Sequence, residues 1–158
     1  MTTKQIIDTW LNGRQKALFD NYIKLGLKAS GDWGESLEQF KKINKDGFTV
    51  GILGNNYTRQ LENGRSPNQN QSEEAVRKWV GWAGNTFIKQ WVQDKGININ
   101  PFAVAYKIAR EGWRVPNTHN AGGLVSDVIT KESIDQLSRE LSLFYVDGFK
   151  SDVLTALK

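Results

Sequence analysis

An Asp-Gly pair between two short stretches of β-type sequence constrains the fold more than any other feature of this chain. From Leu37 to Ile43, every second residue alternates with charged or polar neighbours. The tripeptide Lys45-Asp46-Gly47 follows, and Asp-Gly is a strong signal for a tight hairpin turn. Residues 48–53 then return as a stretch rich in β-branched and aromatic side chains. We therefore predict an antiparallel β-hairpin over residues 35–54.

Helical periodicity surrounds this hairpin on both sides. Apolar residues recur at three- and four-residue steps over residues 3–27, from Ser72 to about Lys95, and from about Thr130 onward. Gly81 and Gly84 interrupt the central stretch, which indicates either close packing of another element or a break. The C-terminal stretch can continue through Leu157, with a weak point at Asp147-Gly148.

A shorter helix is predicted between the central and the C-terminal stretches. Asn100-Pro101 opens it, because proline is favoured at the first helical position, and Gly112 can end it. The pattern as a whole predicts an α+β fold, in which long N-terminal, central and C-terminal helices flank a small antiparallel sheet. With 158 residues and ordinary composition, we expect residues 1–158 to form a single domain.

Two polar segments are predicted to be exposed, flexible loops. Residues 64–72 contain Pro67 and the run Asn68-Gln69-Asn70-Gln71, with no apolar side chain to anchor them. Residues 113–123 contain a proline, the single histidine and the pair Gly122-Gly123. Residues 124–129 between this loop and the last helix read as a short strand or a helix lead-in.

The composition excludes several kinds of chemistry. The chain has no cysteine, which rules out disulfides and thiolate chemistry. It shows neither a secretory layout at Met1 nor an apolar run near the ~20 residues of a membrane span, so we expect folding in a cytoplasm and no membrane partner. The net charge of +4 is small for a dedicated nucleic-acid binder, and a mixed, solvated surface explains it.

Catalytic residues are few. His119 is the only histidine, so any Ser-His-Asp or histidine-ligated metal site would depend on it. Glu62 and Glu111 are nominal candidates for a carboxylate pair of the glycosidase type. No glycine-rich phosphate-binding motif is present. We therefore expect no enzymatic activity, no cofactor and no metal.

The basic side chains leave three interpretations open. Lys107, Arg110 and Arg114 are spaced to share one helical face, and Arg59 and Arg65 lie in the preceding polar segment. Such arginines could form a solvated face, pair with carboxylates of a neighbouring subunit, or contact DNA.

Two signatures in a fixed order resemble the tail-completion, or neck, proteins of tailed bacteriophages. The first is Tyr57-x-x-x-Leu61-Glu62-x-Gly64-Arg65-Ser66-Pro67. The second is Trp91-Val92-x-x-Lys95-Gly96-Ile97, followed by Ala105-Tyr106-x-Ile108-Ala109-x-x-Gly112. The similar order of elements extends over nearly the whole chain, and the close part covers about residues 57–129.

The resemblance implies a role in assembly. Members of this family form rings, usually of six or twelve copies, coaxial with the portal and the tail. It implies a twisted sheet flanked by helices, partners on the portal or adaptor side and on the tail-tube side, and a place in the neck of the virion. It also allows non-specific contact with packaged DNA. The family's loop matches residues 64–67 and its helix exit matches residues 95–97, where glycines serve backbone geometry.

We predict that the segments 57–67 and 113–123, with the arginine between them, contact neighbouring subunits. The predicted interface residues are Tyr57, Arg59, Arg65, Ser66, Pro67, Arg110, Trp113, Arg114 and His119. The first rival hypothesis is a small basic DNA-binding protein, whose affinity would fall steeply with salt. The second is a small cell-wall hydrolase, which would need a cleft with a carboxylate of raised pKa.

Overall fold

The N-terminal helix is the axis around which the two larger core clusters pack. The computed structural model describes residues 2–44 and 47–157, and α1 spans Thr3–Lys24. A capping box begins α1: the Gln5 amide donates to the Thr2 hydroxyl at 3.2 Å and the Thr2 amide donates to the Gln5 side chain at 2.7 Å. Gly26, with a φ of +67°, follows the end of the helix.

The predicted hairpin is confirmed. Strands β1 (Glu38–Asn44) and β2 (Gly47–Leu53) pair antiparallel, with Asn44 opposite Gly47. Lys45 and Asp46 of the turn signal lie outside the described residues. The sequence did not predict the short helix α2 (Asp32–Glu35), which places the Trp33 ring in the core at 1% exposure.

A second antiparallel pair forms where loops were predicted. Helix α3 (Thr58–Asn63) leads directly into strand β3 (Gly64–Arg65), which pairs with a later two-residue strand at Trp113–Arg114. The beginnings of the predicted loops 64–72 and 113–123 are therefore strands. The sequence does not predict these strands, because two residues are too few to show the alternation that is typical of a strand.

The central helical stretch is broken. Helix α4 (Glu73–Asn85) and helix α5 (Phe87–Lys95) meet at Thr86, whose φ and ψ of −113° and −111° leave the helical region. The stretch begins at Ser72 as predicted, and the Ser72 hydroxyl caps α4 by accepting a hydrogen bond from the Ala75 amide. The sequence offered close packing or a break as explanations for Gly81 and Gly84, and both occur here. The helix is interrupted after Asn85, and Gly84 packs against Phe102 of the helix that follows α5.

Helix α6 (Pro101–Glu111) begins at Asn100, whose side chain accepts from the Phe102 and Ala103 amides. Strand β4 (Trp113–Arg114) follows at once. The helical periodicity of residues 102–109 predicts that Phe102 and Tyr106 face inward together with Ala105 and Ala109. Both rings are about half exposed, however, and only the small Ala105 and Ala109 are fully buried. The predicted shared face of Lys107, Arg110 and Arg114 is wrong, because α6 ends before Arg114.

Helix α7 (Lys131–Ala156) is continuous through Gly148. Its first half is buried through Ser133, Leu137 and Leu141. Residues 124–129 form turns rather than a strand, and they contribute Leu124 and Val128 to the core.

Buried side chains fall into three clusters. One joins α1 to α2 and the 124–128 turns, a second joins α1 to α7, and a third lies within α4, α5 and α6. The members of the third cluster are Ala83, Ile88, Val92 and Ala105. In the part of the chain that is described, no helix is long and apolar enough to cross a bilayer.

The two glycines of α4 give a matched test of helix packing. A Cβ on Gly84 would lie 2.6 Å from the Phe102 ring, whereas a Cβ on Gly81 would meet nothing within 4 Å. We expect Gly81→Ala to raise the free energy of unfolding by up to about 1 kcal/mol through helix propensity. We expect Gly84→Ala to lower it by about 1–3 kcal/mol through overpacking. Urea unfolding of both variants measures the difference, and equal effects would contradict the packing of α4 on α6.

Candidate subunit interface

The first signature pairs at the β3–β4 ladder with the two residues that directly follow the second signature. Gly64 lies opposite Arg114, and Arg65 lies opposite Trp113. The segment 57–67 and the segment that follows α6 are thus brought side by side, although some fifty residues separate them in sequence.

Glycine is required on both sides of this ladder. Gly64 has a φ of +80° and Gly112 a φ of +69°, a region that other residues rarely adopt. A Cβ on Gly64 would overlap the Trp113 carbonyl oxygen, and a Cβ on Gly112 would overlap the Arg65 carbonyl oxygen. The ladder therefore depends on the absence of a side chain at both positions.

Polar side chains fasten residues 64–72 to α6. The Asn68 amide donates to the Ala109 carbonyl at 2.9 Å. The Gln71 side chain donates to the same carbonyl at 2.9 Å and to the Asn68 carbonyl at 2.7 Å. The Asn/Gln run that seemed to lack an anchor is thus anchored through hydrogen bonds. Asn68 and Gln71 were missed, and the only available signal was the readiness of such side chains to bond to backbone groups.

Arg65 is committed to contacts within the chain. Its guanidinium carbon lies 4.5 Å from the centroid of the Trp79 ring. Its nitrogens donate to the Asn68 side chain at 2.7 Å and to the Ile108 carbonyl at 3.5 Å. Burial lowers the pKa of the guanidinium below its ordinary value. This predicted interface residue therefore links β3 to α4 and α6.

Arg110 holds the start of α4 against α6. It donates to the Gln71 carbonyl at 2.9 Å and to the Tyr106 hydroxyl at 3.3 Å, and it pairs with the Glu73 carboxylate. The sequence alone does not predict this ion pair, because an acidic residue in the first turn of a helix is also favoured without any partner.

The remaining predicted interface residues lie nearer to the surface. Arg59 and Arg114 are exposed, and their side chains make no hydrogen bond or ion pair with the described residues. Trp113 is half buried. The others are exposed, and they are Tyr57, Ser66, Pro67 and His119.

The turn at 117–120 is held on α3. Asn117 and Asn120 bridge each other through their main chains, and the buried Asn120 side chain donates to the Leu61 carbonyl at 2.8 Å. His119 lies at the exposed tip of this turn, and its amide donates to the Asn117 side chain. Over residues 2–44 and 47–157, no group of three or more His, Cys, Asp or Glu side chains could hold a metal. Asn120 was not predicted.

Glu62 fastens α3 to the turns before α7. Its carboxylate accepts from the Val125 amide at 2.8 Å, and from the Ser126 hydroxyl at 2.6 Å and amide at 3.2 Å. Burial raises the pKa of Glu62, but the hydrogen bonds from Ser126 and Val125 outweigh it, and the pKa lies below its ordinary value. A general acid needs the opposite shift, so the geometry favours a structural role for this glutamate.

An apolar cleft of about 540 Å³ lies between the hairpin, α1 and α7. Trp10, Trp33, Phe48 and Leu137 are among the residues that line it. None of the described residues along its walls carries a carboxylate, an imidazole or an amine. The cleft thus lacks the convergent polar groups by which small-molecule sites fix their ligands.

No protein-family model matches the chain, and neither a curated protein nor a solved structure does. The resemblance to tail-completion proteins rests on the two sequence signatures.

The close approach at the ladder can be tested with Gly112→Ala, for which Gly96→Ala is the matched control. Gly96 has a φ of +63° like Gly112, but a Cβ there would meet nothing within 4 Å. We expect Gly96→Ala to lower the free energy of unfolding by about 1–2 kcal/mol through backbone strain alone. Gly112→Ala should cost clearly more, because the Arg65 carbonyl must also move. Urea unfolding checks this, and equal losses would argue against the close approach.

Glu62 should make stability depend on pH in the acid range. Since its folded pKa lies below the ordinary value of 4.5, its contribution is present above that value and is lost as the pH falls through the folded pKa. We expect Glu62→Gln to lower the free energy of unfolding by about 1 kcal/mol at pH 7, and to lower it less in acid.

The control for this measurement is Glu111→Gln, because Glu111 is exposed and its side chain makes no hydrogen bond with the described residues. Urea unfolding at pH 7 and in acid compares the two variants. A Glu62→Gln deficit that does not shrink in acid would contradict the role of the carboxylate.

Proposed function

We propose that the chain is a structural subunit of the neck or tail ring of a tailed bacteriophage. In this role it joins portal-side proteins to the tail, surrounds the channel through which DNA leaves, and catalyses no reaction. Six or twelve copies would form the ring, and the protein would be made in the host cytoplasm and reside in the virion.

The observation that carries this proposal is the meeting of the two signatures. Gly112, the last residue of the second signature, lies against the main chain of Arg65 and Ser66 in the first signature, directly before the β3–β4 ladder. The chain between the two signatures is fastened to the second one, since Arg110 of α6 donates to the Gln71 carbonyl just before α4. Exposed loops that are held in place by hydrogen bonds to the helices suit a subunit that packs between two neighbours.

The distribution of charge supports subunit contact through some of the arginines rather than all of them. Arg65 and Arg110 have partners within the chain. Arg59 and Arg114 are exposed, and arginine forms bidentate pairs with carboxylates at interfaces. We assign the contact between neighbouring subunits to Arg59 and Arg114, with Tyr57 and His119 beside them.

The location can be tested with an N-terminal epitope tag, because Thr2 is exposed. Purified particles that carry the tagged protein are labelled with gold-conjugated antibody and viewed by electron microscopy. We expect gold at the joint between capsid and tail. Particles without gold, in preparations where the denatured tag is detected, would overturn the proposal.

The exposed arginines give a more specific test. We expect the double variant Arg59→Glu/Arg114→Glu to fold normally, because both side chains are exposed, and to be incorporated into particles at least about tenfold less, as expected when like charges replace a pair. Quantitative immunoblotting of purified particles measures the incorporation.

The matched control is Lys16→Glu/Lys131→Glu, which changes the net charge by the same amount. The two lysine side chains are 76% and 82% exposed and pair only with acids one turn away on their own helices. Control particles should contain normal amounts of the protein. Normal incorporation of the arginine variant would remove Arg59 and Arg114 from the interface.

A further inference from the structure

The second half of α7 extends beyond the body of the protein. Helices α1 and α7 run antiparallel, since Trp10 donates to the Ser133 carbonyl and Thr3 donates to the Tyr145 hydroxyl. Thr3 is the first residue of α1, so α7 has no part of α1 to pack on beyond Tyr145. At ~1.5 Å per residue, the helix continues for roughly 16 Å. We call residues 146–157 the α7 overhang.

The α7 overhang carries an unusual amount of exposed apolar surface. Val146, Phe149 and Val153 follow one another at three- and four-residue steps and form one stripe. Phe149 is 70% exposed, Leu154 62% and Leu157 78%. Contiguous apolar surface of this kind marks an interaction site in a folded protein.

A second apolar surface lies at the break between α4 and α5. The rings of Trp82 and Phe87 are 5.4 Å apart in an edge-to-face arrangement, and Trp91 lies one turn beyond Phe87 on α5. Trp82 is 59% exposed, Phe87 46% and Trp91 40%. We call these three residues the aromatic corner.

The aromatic corner is rigidly supported. The Trp79 ring lies beneath it, 6.5 Å from Trp82 and 6.3 Å from Phe87, and the Arg65 guanidinium covers Trp79. The Thr86 hydroxyl donates to the Trp82 carbonyl at 2.8 Å. Large aromatic side chains held in this way are the residue types that dominate binding energy at interfaces.

Charge favours a contact between these two surfaces. Helix α7 carries three basic and five acidic residues, among them Asp147 and Asp152 in the overhang, whereas α4, α5 and α6 together carry six basic and four acidic residues. Lys78 lies one turn before Trp82 on α4. A pair of α7 overhangs would instead bring together two segments that each carry Asp147 and Asp152 against the single Lys150, and it would leave the aromatic corner uncovered.

The area is also sufficient. Taking ~200 Å² for each fully exposed large side chain, the exposed fractions of the overhang and the corner together offer roughly 900 Å² of apolar surface, and the polar side chains at their edges bring the contact to the ~1,000 Å² that a specific interface needs. We propose that the α7 overhang of one copy docks on the aromatic corner of a second copy of this chain, head to tail. The contact rests on the proposed function in one respect, that copies of the chain associate. Because it joins two different surfaces, it can repeat around a ring.

Mixing two variants tests this directly. The overhang variant is Phe149→Ser/Leu154→Ser, and the corner variant is Trp82→Gln/Phe87→Gln. We expect the wild-type chain to self-associate in sedimentation velocity, and each variant alone to do so at least about tenfold more weakly. An equimolar mixture should form a dimer and nothing larger, because one intact overhang then meets one intact corner.

Two further variants keep the test sharp. Trp82→Gln alone replaces the corner double variant if circular dichroism shows that the latter is unfolded. Ile23→Gln, at an exposed isoleucine of α1 (43% exposed), controls for the loss of any exposed apolar side chain and should associate like the wild type.

The proposal is overturned by a monomeric wild-type chain, by variants that associate as the wild type does, or by a mixture that forms no dimer. A monomeric overhang variant beside a fully associating corner variant would indicate pairing of two α7 overhangs. Failure here and failure of the neck function are distinguishable. Gold at the capsid–tail joint without mixed dimers leaves the neck function standing, and mixed dimers without gold leave the contact standing.

Discussion

The close main-chain approach of Gly64–Arg65 to Gly112–Trp113 is the constraint on which the rest of the structure depends. Residues 73–111 lie between the two strands of this ladder in sequence, and they form the helices α4, α5 and α6. These helices have a core cluster of their own. The ladder thus closes the base of a three-helix excursion. Its main-chain bonds are few, so the absence of a Cβ at Gly64 and Gly112 decides whether the excursion is held in one orientation.

Polar side chains reinforce this closure because apolar ones are scarce there. The Gln71 side chain donates to the Ala109 carbonyl, which also accepts from the Asn68 main-chain amide, and Arg65 spans from β3 to the Trp79 ring. These contacts connect the loop after β3 to α6 and connect β3 to α4. The four arginines therefore differ in what they can contact. Arg65 and Arg110 bind other elements of the same chain, whereas the exposed side chains of Arg59 and Arg114 remain available for contact with another molecule.

Local signals in the sequence predicted the hairpin and the long helices, whereas the short helices α2 and α3 and the contacts between distant elements escaped prediction. The hairpin and the helix starts at Ser72 and at Asn100-Pro101 follow from neighbouring residues alone. The β3–β4 ladder does not, because its strands are two residues long and distant in sequence. The burial of Phe102 escaped prediction for a related reason: helical periodicity cannot tell that only the small Ala105 and Ala109 are fully buried, whereas the Phe102 ring packs against Gly84 of α4 and stays 40% exposed.

Local sequence alone also does not explain why the α7 overhang is helical. Isolated helices shorter than ~12–15 residues are marginal in water, and the overhang also contains Gly148, which costs ~1 kcal/mol relative to alanine. Its helical order therefore derives from the docked half of α7, where Leu137 and Leu141 are buried. A partner that covers Phe149 and Val153 would add the tertiary contacts that this segment lacks. Helix order and association are then linked, because whatever binds the ordered overhang stabilises it by mass action.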